Sequence, residues 1–490
     1  MKKILFVSVS LLVWRFCFGA AYYVSPAGDD SWSGSSEFTF RTIGHPAGIV
    51  APGDTVNIMS GIYYESTVIH NSGVPGNPIV FRVPPGEVVT VKAQLDQCFV
   101  ITENAEYVVI EGFNLTNAHW VITPHAAGVK VLGNYCTVRN NHIFDNEMGV
   151  LIQMSEDSLN ANHHNIVEGN IISNSMEAGI RVKRSDHNVI INNLIYNNGY
   201  TGFAAGAITY YGVNHIKILN NTLWNNAGPA IQNYNGTDSV TTPVSIDVLV
   251  ANNISLRNDG GILFSVENKM INETTDTYSH NLWYNGIPGS PIVAWGNNNF
   301  GLGGENLTFT EYLSIISQVN PLSGEGELEA DPLFSNPALL AFDLQSGSPA
   351  FDAGMNTIAE LNLTGLTAAV DQAIDFDPPD LGFHHLPYSY APNPEVFYHI
   401  SFQAYPNPVL DKVRFDITFP QSSEQCNPKI RIYDLLGREV AALRTLNDSP
   451  NNHFIVDWQP EVQFASGVYF AVCNIPKSNQ AAKIKLVIIK

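Results

Sequence analysis

The chain has 490 residues, of which 45% are hydrophobic and 14% are charged, and its formal net charge at pH 7 is -21. This composition belongs to a folded chain that is long enough for more than one domain, and it excludes extended disorder. The negative charge also argues against nucleic acid or an anionic membrane surface as the main partner, because either would be repelled.

The first twenty residues have the composition of a secretory signal peptide. Lys2 and Lys3 precede a mostly apolar run over 4–14, and small residues follow at 19–21. We therefore predict export of the chain, with 1–20 as the signal peptide and 21–300 as the first domain of the mature protein. No later run reaches the roughly 18 apolar residues of a spanning helix, so no membrane span is expected.

The residues that follow resemble a known class of secreted protein. The segments 22–30 (YYVSPAGDD), 40–43 (FRTI), 52–56 (PGDTV) and 61–63 (GIY) are similar to the opening of secreted, pectate-lyase-like β-helix polysaccharide lyases. The resemblance implies a β-helix and a carbohydrate ligand. In calcium-dependent pectate lyases with this opening, an Asp-Gly-Phe-Ala stretch supplies acidic calcium ligands. Here the comparable run 201–204 is TGFA and lacks the acid, so we expect no metal among the site residues.

A pair of turn residues, usually two asparagines, recurs six times between residues 140 and 282. Its second member lies at Asn141, Asn170, Asn193, Asn221, Asn253 and Asn281, and successive members are 29, 23, 28, 32 and 28 residues apart. Irregular repetition at this period, with short β-branched runs and no helical periodicity, predicts an all-β fold that is a right-handed parallel β-helix. Asparagine suits the bends because it tolerates left-handed backbone angles, and stacked asparagines are expected to bond one another in a ladder.

Alignment of the coils on these pairs predicts which side chains share one outward face. Val129, Val150, Ile180, Ile208, Ile231 and Ile262 are assigned to one inward position, and alternation along each strand directs the next residue outward. The first outward row is predicted to contain Lys130, Leu151, Arg181, Thr209, Gln232 and Leu263. The second is predicted to contain Leu132, Gln153, Lys183, Tyr211, Tyr234 and Ser265.

The cationic part of this face suits β-elimination of an acidic polysaccharide. Lys183 is the expected base, and Arg181 is expected to bind the uronate carboxylate through its bidentate fork. Tyr211 is a candidate proton donor. We predict that the substrate is bound by Tyr234, Gln153, Gln232 and Lys130. His163, His164 and His187 are secondary acid or base candidates.

Two other functions remain open, so the sequence does not decide whether the chain is an enzyme. A glycoside hydrolase needs two carboxyl groups, and Glu147 with Glu177 in the turns of adjacent coils are the candidates. A non-catalytic, cell-surface glycan-binding protein would use the same long face without turnover. In each case the expected partner is a polysaccharide and the chain is expected to be a monomer.

Residues 301–395 are predicted to be a closing segment and linker. Asp371, Asp375, Asp377 and Asp380 make calcium a candidate cofactor, although no cofactor is certain. The two prolines at 378–379 and the absence of an EF-hand spacing favour a polar loop instead. Cys426 and Cys473, further along the chain, either form a disulfide or are buried free thiols.

Residues 396–490 are predicted to form a small β-sandwich, because short alternating runs replace the repeat. Four ordered segments, at 404–408 (AYPNP), 434–440 (DLLGREV), 466–470 (SGVYF) and 483–490 (KIKLVIIK), resemble the C-terminal sorting domain of the type IX secretion system of Bacteroidetes. The resemblance implies that the type IX machinery is a partner. It also implies export across the outer membrane, to the cell surface or the exterior.

Overall fold

The structure, a computed structural model, describes most of the chain in segments. These are residues 19–119, 125–154, 161–199, 206–233, 245–258, 264–267, 275–297, 305–320, 323–337, 341–355, 368, 375, 378–384, 401–405, 409, 412–418, 429–433, 438–444, 453–460, 464–474 and 481–488. Contacts divide the chain into a unit that ends at Pro392 and a second that begins at Asn393. None of the helices in these segments is long and apolar enough to cross a membrane.

The first unit is a parallel β-helix, as the repeat predicts. Within the described residues its coils contribute ten strands to each of three sheets, S1, S2 and S3. S1 contains Ala21–Val24, Thr55–Ile58, Ile79–Arg82, Val108–Glu111, Thr137–Arg139, Ile166–Glu168, Val189–Ile191, Lys217–Leu219, Leu249–Ala251 and Thr277–Ser279. S3 contains Gly61–Tyr64, Val89–Lys92, Asn114–Thr116, His142–Phe144, Ile171–Ser173, Leu194–Tyr196, Thr222–Trp224, Ile254–Leu256, Leu282–Tyr284 and Leu328–Glu329.

S2, the third sheet, is parallel except at its last strand, which pairs antiparallel. It contains Thr67–Ile69, Gln97–Ile101, Ala127–Val131, Met148–Gln153, Ile180–Lys183, Ile208–Tyr211, Ile231–Asn233, Phe264–Glu267, Val293–Asn297 and Glu305–Leu307. Each complete coil passes from S1 to S3 and then to S2. Inward-facing residues from all three sheets form one continuous hydrophobic core along the solenoid.

Two asparagine ladders hold successive coils in one phase. At the turn between S1 and S3, the side-chain amide of each second asparagine donates to the side-chain oxygen of the next, at 2.9 to 3.1 Å. This ladder runs through Asn141, Asn170, Asn193, Asn221, Asn253 and Asn281. The expected stacking is therefore confirmed. A second ladder at the turn between S3 and S2 joins Asn198, Asn226 and Asn258, which the sequence analysis missed.

The first members of the pairs have a different task. Asn140, Asn192, Asn220 and Asn252 have φ between 50° and 59°, so they take the left-handed bend that asparagine was expected to tolerate. Three of their side chains also bond the closing segment. Asn192 accepts from the His384 amide at 2.6 Å, Asn220 donates to the Asp380 carbonyl at 3.1 Å, and Asn252 donates to the Met355 carbonyl at 3.0 Å.

In the part of the first unit that the structure describes, two helices and two short strand pairs accompany the three sheets. The helices are Gly44–Ala47 and Phe309–Val319, and the pairs are Asn162–His163 with Ser185–Asp186, and Phe334–Asn336 with Ala341–Leu344. The second helix begins with a capping box between Thr308 and Glu311. Its Tyr312 and Ile316 join the solenoid core, so this helix covers apolar surface that the last coils would otherwise expose. The sequence analysis did not anticipate it.

The second unit has the predicted sandwich architecture. One antiparallel sheet contains Ser401–Tyr405, Val413–Thr418 and His453–Trp458, and the other contains Lys429–Tyr433, Glu439–Arg444, Gly467–Asn474 and Ala481–Ile488. Buried side chains from both sheets, among them Phe415, Trp458, Ile430 and Leu486, form one core. In the first unit Cys98 and Cys136 are buried free thiols. Cys426 lies outside the described residues, so its pairing with Cys473 stays a prediction.

Substitution of a ladder asparagine should destabilise the whole solenoid. Asn221 is fully buried, and its side-chain amide bonds the Ile190 and Leu219 carbonyls as well as the neighbouring ladder oxygen. Asn221→Ala leaves these groups unsatisfied, so we expect a loss of about 3 kcal/mol or more in the free energy of unfolding. Chemical denaturation measures it. Asn225→Gly, at an exposed left-handed position, is the matched control and should cost well under half as much.

Glu327 ends the first ladder and should make stability depend on pH. It accepts from the side-chain amide of Asn281 and from the indole of Trp283, and burial raises its pKa from 4.5 to about 7. A carboxyl that is more basic in the folded chain stabilises it fully below about pH 4.5, and this stabilisation is lost as the pH rises through about 7. Glu327→Gln should remove up to about 3 kcal/mol of this dependence. Thermal unfolding of the original chain and of Glu327→Gln at about pH 5 and about pH 8 measures this dependence. An equal fall in Tm between the two pH values in both proteins would contradict the prediction.

Candidate functional site

The predicted register of S2 is confirmed over five coils. Val129 pairs with Val150, and the same inward position continues through Ile180, Ile208 and Ile231. The outward rows follow from it. Lys130, Leu151, Arg181, Thr209 and Gln232 are successive neighbours in the first row, and Gln153, Lys183 and Tyr211 are successive neighbours in the second.

The register of the next coil was predicted incorrectly. Phe264, and not Ile262, pairs with Ile231, so Ser265 lies beside Gln232 in the first row rather than in the second. The turn that leads from the second ladder into S2 varies in length, with four residues from Asn146 to Val150 but six from Asn258 to Phe264. Alignment of the coils on the pairs of turn residues does not account for this change in length, so the predicted position is wrong by two residues. Leu263 and Tyr234 lie outside the described residues.

The first row is not the exposed wall that alternation suggested. Leu151 and Thr209 are fully buried, and only 7% of Arg181 and 6% each of Gln153 and Gln232 are exposed. Leu151 packs against Ala127 and Met148. Lys130, Lys183 and Tyr211 are half-buried, so they are accessible on this face.

Arg181 and Lys183 are held by different partners. The Arg181 guanidinium lies 2.8 Å from a carboxylate oxygen of Glu177, and only 8% of its side chain is exposed. It therefore fixes Glu177 and is not the open carboxylate clamp expected from sequence. The ammonium of Lys183 lies 5.6 Å from the ring centroid of Tyr211. A cation over an aromatic face is stabilised in its charged form, which favours a binding role for Lys183 over the role of a base.

A histidine that the sequence analysis missed lies between these groups. A ring nitrogen of His125 and carboxylate oxygens of Glu147 and Glu177 all lie within 4.8 Å of one another. Burial lowers the pKa of His125, and the positive charges of Arg181, Lys183 and Lys130 lower it further, against an opposing effect of Glu177. His125 is therefore a neutral imidazole at neutral pH. His125, Glu147 and Glu177 each precede one of three successive S2 strands. This pattern of titratable residues was the sequence signal that could have identified His125.

The adjacency of Glu147 and Glu177 was expected and is present, since the Glu177 amide donates to the Glu147 carbonyl at 2.7 Å. The other histidine candidates lie elsewhere, in the turns between S2 and S1. His164 stacks on His187 at 4.7 Å, and the column of rings extends to Tyr107, Tyr135 and His215. We name His125, Lys130, Glu147, Glu177, Arg181, Lys183 and Tyr211 the S2 cluster.

The donor set of the S2 cluster does not suit calcium. Ca²⁺ takes six to eight oxygen ligands, whereas the three ligand atoms that converge here include an imidazole nitrogen. Glu177 is also already paired with Arg181. We therefore derive no step of the chemistry through calcium at this place.

The ion pair between Arg181 and Glu177 should contribute to folding in a non-additive way. Arg181→Met leaves a largely buried carboxylate without its countercharge, and we expect a loss of about 3 kcal/mol in the free energy of unfolding. The double variant Arg181→Met, Glu177→Leu removes both charges and should recover at least half of that loss. Denaturant unfolding of both variants measures the coupling. Additive losses would contradict a direct pair.

The chain matches two family models. Residues 87–241 and 127–304 match the model described as right handed beta helix region, and residues 403–490 match the secretion system C-terminal sorting domain. The second unit therefore carries the type IX sorting signal, which directs the chain to the cell surface or the exterior.

Three individual proteins are similar over parts of this chain. The uncharacterized protein YwoF of Bacillus subtilis (strain 168) is 38% identical over 89 residues, which is 18% of each chain. Pectate lyase Pel9A aligns with a TM-score of 0.44 and 16% identity, over 75% of this chain and 96% of its own. A rhamnogalacturonan lyase aligns with a TM-score of 0.42 and 17% identity, over 60% and 90%.

Proposed function

We propose that this exported β-helix protein acts on an acidic polysaccharide at the S2 cluster, by β-elimination with His125 as the base. The observation that supports it is the position of a neutral imidazole among three cationic side chains, Lys130, Arg181 and Lys183. An elimination site needs a base and a positive potential in the same place, because the proton to be removed lies next to a carboxylate.

In the proposed reaction, the half-buried ammonium groups of Lys130 and Lys183 bind the uronate carboxylate. His125 removes the proton from the adjacent ring carbon, and the electron pair forms the new carbon–carbon double bond as the glycosidic C–O bond breaks. The Tyr211 hydroxyl donates its proton to the leaving oxygen. Glu147 and Glu177 lie within 4.8 Å of a His125 ring nitrogen, so their negative charge stabilises the imidazolium that forms.

This assignment changes the roles expected from the sequence. Lys183 becomes a carboxylate-binding residue, because its contact with Tyr211 favours the charged ammonium. Arg181 becomes a positioning residue that acts through Glu177. Gln153 neighbours Lys183 on the sheet. Only 6% of Gln153 is exposed, so the substrate can reach no more than the edge of this side chain.

Glycoside hydrolysis is the second candidate, and one observation favours it. Oxygens of Glu147 and Glu177 lie within 4.8 Å of each other, close to the separation of about 5 to 5.5 Å between the carboxyl groups of retaining enzymes. In that reaction Glu177, paired with Arg181, would be the nucleophile and Glu147 the acid. A binding protein without turnover is the third outcome of the same experiment.

The test is incubation of the exported chain with polygalacturonate, alginate and glycosaminoglycans. Elimination produces an unsaturated uronate that absorbs in the near ultraviolet, whereas hydrolysis produces new reducing ends without that absorbance. We expect absorbance with at least one of these polymers. Reducing ends alone would replace the proposal with hydrolysis, and retention of polymer without product would replace it with glycan binding.

The identity of the base can be read from the pH profile. Because the pKa of His125 is lowered, the acid limb of kcat/KM should fall below about pH 6.5, and activity should not require alkaline pH. His125→Asn should reduce kcat by about 10² to 10⁴-fold. The exposed His70→Asn is the matched control and should retain activity. A profile that rises only in the alkaline range, with His125→Asn still active, would assign the base to Lys183.

A further inference from the structure

The closing segment contains a group of side chains that the S2 cluster does not use. Its two halves are joined by backbone bonds from Gly354 to Pro379 and from Leu381 to Ala350, both 2.9 Å. The asparagines at the turn between S1 and S3 bind it to three successive coils. The segment is therefore a strap across the solenoid, and the side chains between its halves are fixed from both sides.

Three aspartates meet between the two halves of the strap. Carboxylate oxygens of Asp352, Asp375 and Asp380 all lie within 4.8 Å of one another. Asp375 and Asp380 are buried, whereas Asp352 is exposed. The Asp380 carboxylate accepts the amides of Asp352 and Ala368, at 3.1 and 3.2 Å. The Asp375 carboxylate in turn accepts the amide of Asp380, at 3.2 Å.

His384 supplies an independent indication of a ligand. Its ring is fully buried, and Nε2 lies 3.0 Å from the Asp380 carbonyl oxygen. A carbonyl oxygen only accepts, so Nε2 carries a proton and donates it to that oxygen. Nδ1 has no hydrogen-bond partner and lies 3.5 Å from Oδ2 of Asp375. A buried imidazole nitrogen without a hydrogen-bond partner, this close to a carboxylate oxygen, indicates a proton or a metal ion between the two atoms.

The separation and the donor types together indicate the class of ion. Two atoms 3.5 Å apart both reach an ion at bond lengths of about 2.0 to 2.2 Å, which are those of Zn²⁺ with imidazole and carboxylate. Calcium bonds are longer and go to oxygen. A set of carboxylates with one imidazole selects a first-row divalent metal over calcium or magnesium.

We propose that Asp352, Asp375, Asp380 and His384 bind one divalent transition metal ion, which joins the two halves of the strap. The site is separate from the S2 cluster in composition and does not depend on the proposed catalysis. Its effect is on folding, because an ion that binds only the folded strap stabilises it by mass action.

The test uses the full chain after dialysis against EDTA, with Zn²⁺ or Mn²⁺ added back and Ca²⁺ or Mg²⁺ in parallel samples. We expect one ion of Zn²⁺ or Mn²⁺ per chain by elemental analysis and a rise in Tm of about 3 °C or more at saturating metal. Calcium and magnesium should give a much smaller rise at equal concentration. Absence of bound metal and of any rise would overturn the proposal and leave a shared proton between Asp375 and His384.

Variants separate this site from other metal-binding groups. Asp375→Asn and His384→Gln should abolish both the bound ion and the rise in Tm. Asp352→Asn changes an exposed carboxylate, so it should fold normally and weaken metal affinity by about 10-fold or more. Glu147→Gln with Glu177→Gln is the matched control, because these residues are the other group near an imidazole, and it should retain the metal response. If Asp352→Asn and Asp375→Asn kept the bound ion and the rise in Tm while the control lost both, the ion would lie in the S2 cluster.

Discussion

The side-chain ladder of asparagines is the constraint on which the rest of the structure depends. Each ladder amide bonds the coil before it and the coil after it, so a shift of one coil by a single residue would break bonds on both sides. Buried amides that lose their partners are costly, and this cost fixes the phase of the coils more strictly than apolar packing alone. Because the phase is common, residues 21 to 33 positions apart become neighbours on S2.

The paired asparagines divide two tasks between adjacent positions. The second member faces inward and joins the coils, while the first takes the left-handed bend and presents its amide to the strap. The same turn therefore stabilises the solenoid and binds the segment that closes it. The hydroxyl of Thr222 also accepts from the Phe383 amide at 2.9 Å, so the strap continues its pairing beyond the asparagines.

Much of the fold was predictable because it follows from local rules. The asparagine spacing gave the coils, alternation gave the inward row from Val129 to Ile231, and the loss of the repeat gave the second unit. The predicted register was wrong at Ile262, where the turn length changes, because no periodic pattern in the sequence marks an insertion inside a turn. The predicted exposure of Arg181 was also wrong. Alternation gives the side of the sheet on which a side chain lies, but it does not show whether a neighbour such as Glu177 covers that side chain.

The site was predictable only in part, for related reasons. Lys183 and Tyr211 share a strand position, so the register was enough to bring them together. His125 belongs to a turn of unequal length, so its approach to Glu147 and Glu177 depends on three-dimensional packing. The partners of His384 are fixed by the strap, which returns to coils almost 200 residues earlier, and no short-range pattern links them.

A crystal structure of the chain with a uronate oligosaccharide tests the account most directly. The account predicts a sugar carboxylate within hydrogen-bond distance of the ammonium groups of Lys130 or Lys183, with the adjacent ring carbon facing a nitrogen of His125. An oligosaccharide bound along S1 or S3, or on S2 with His125 turned away from the ring, would contradict it.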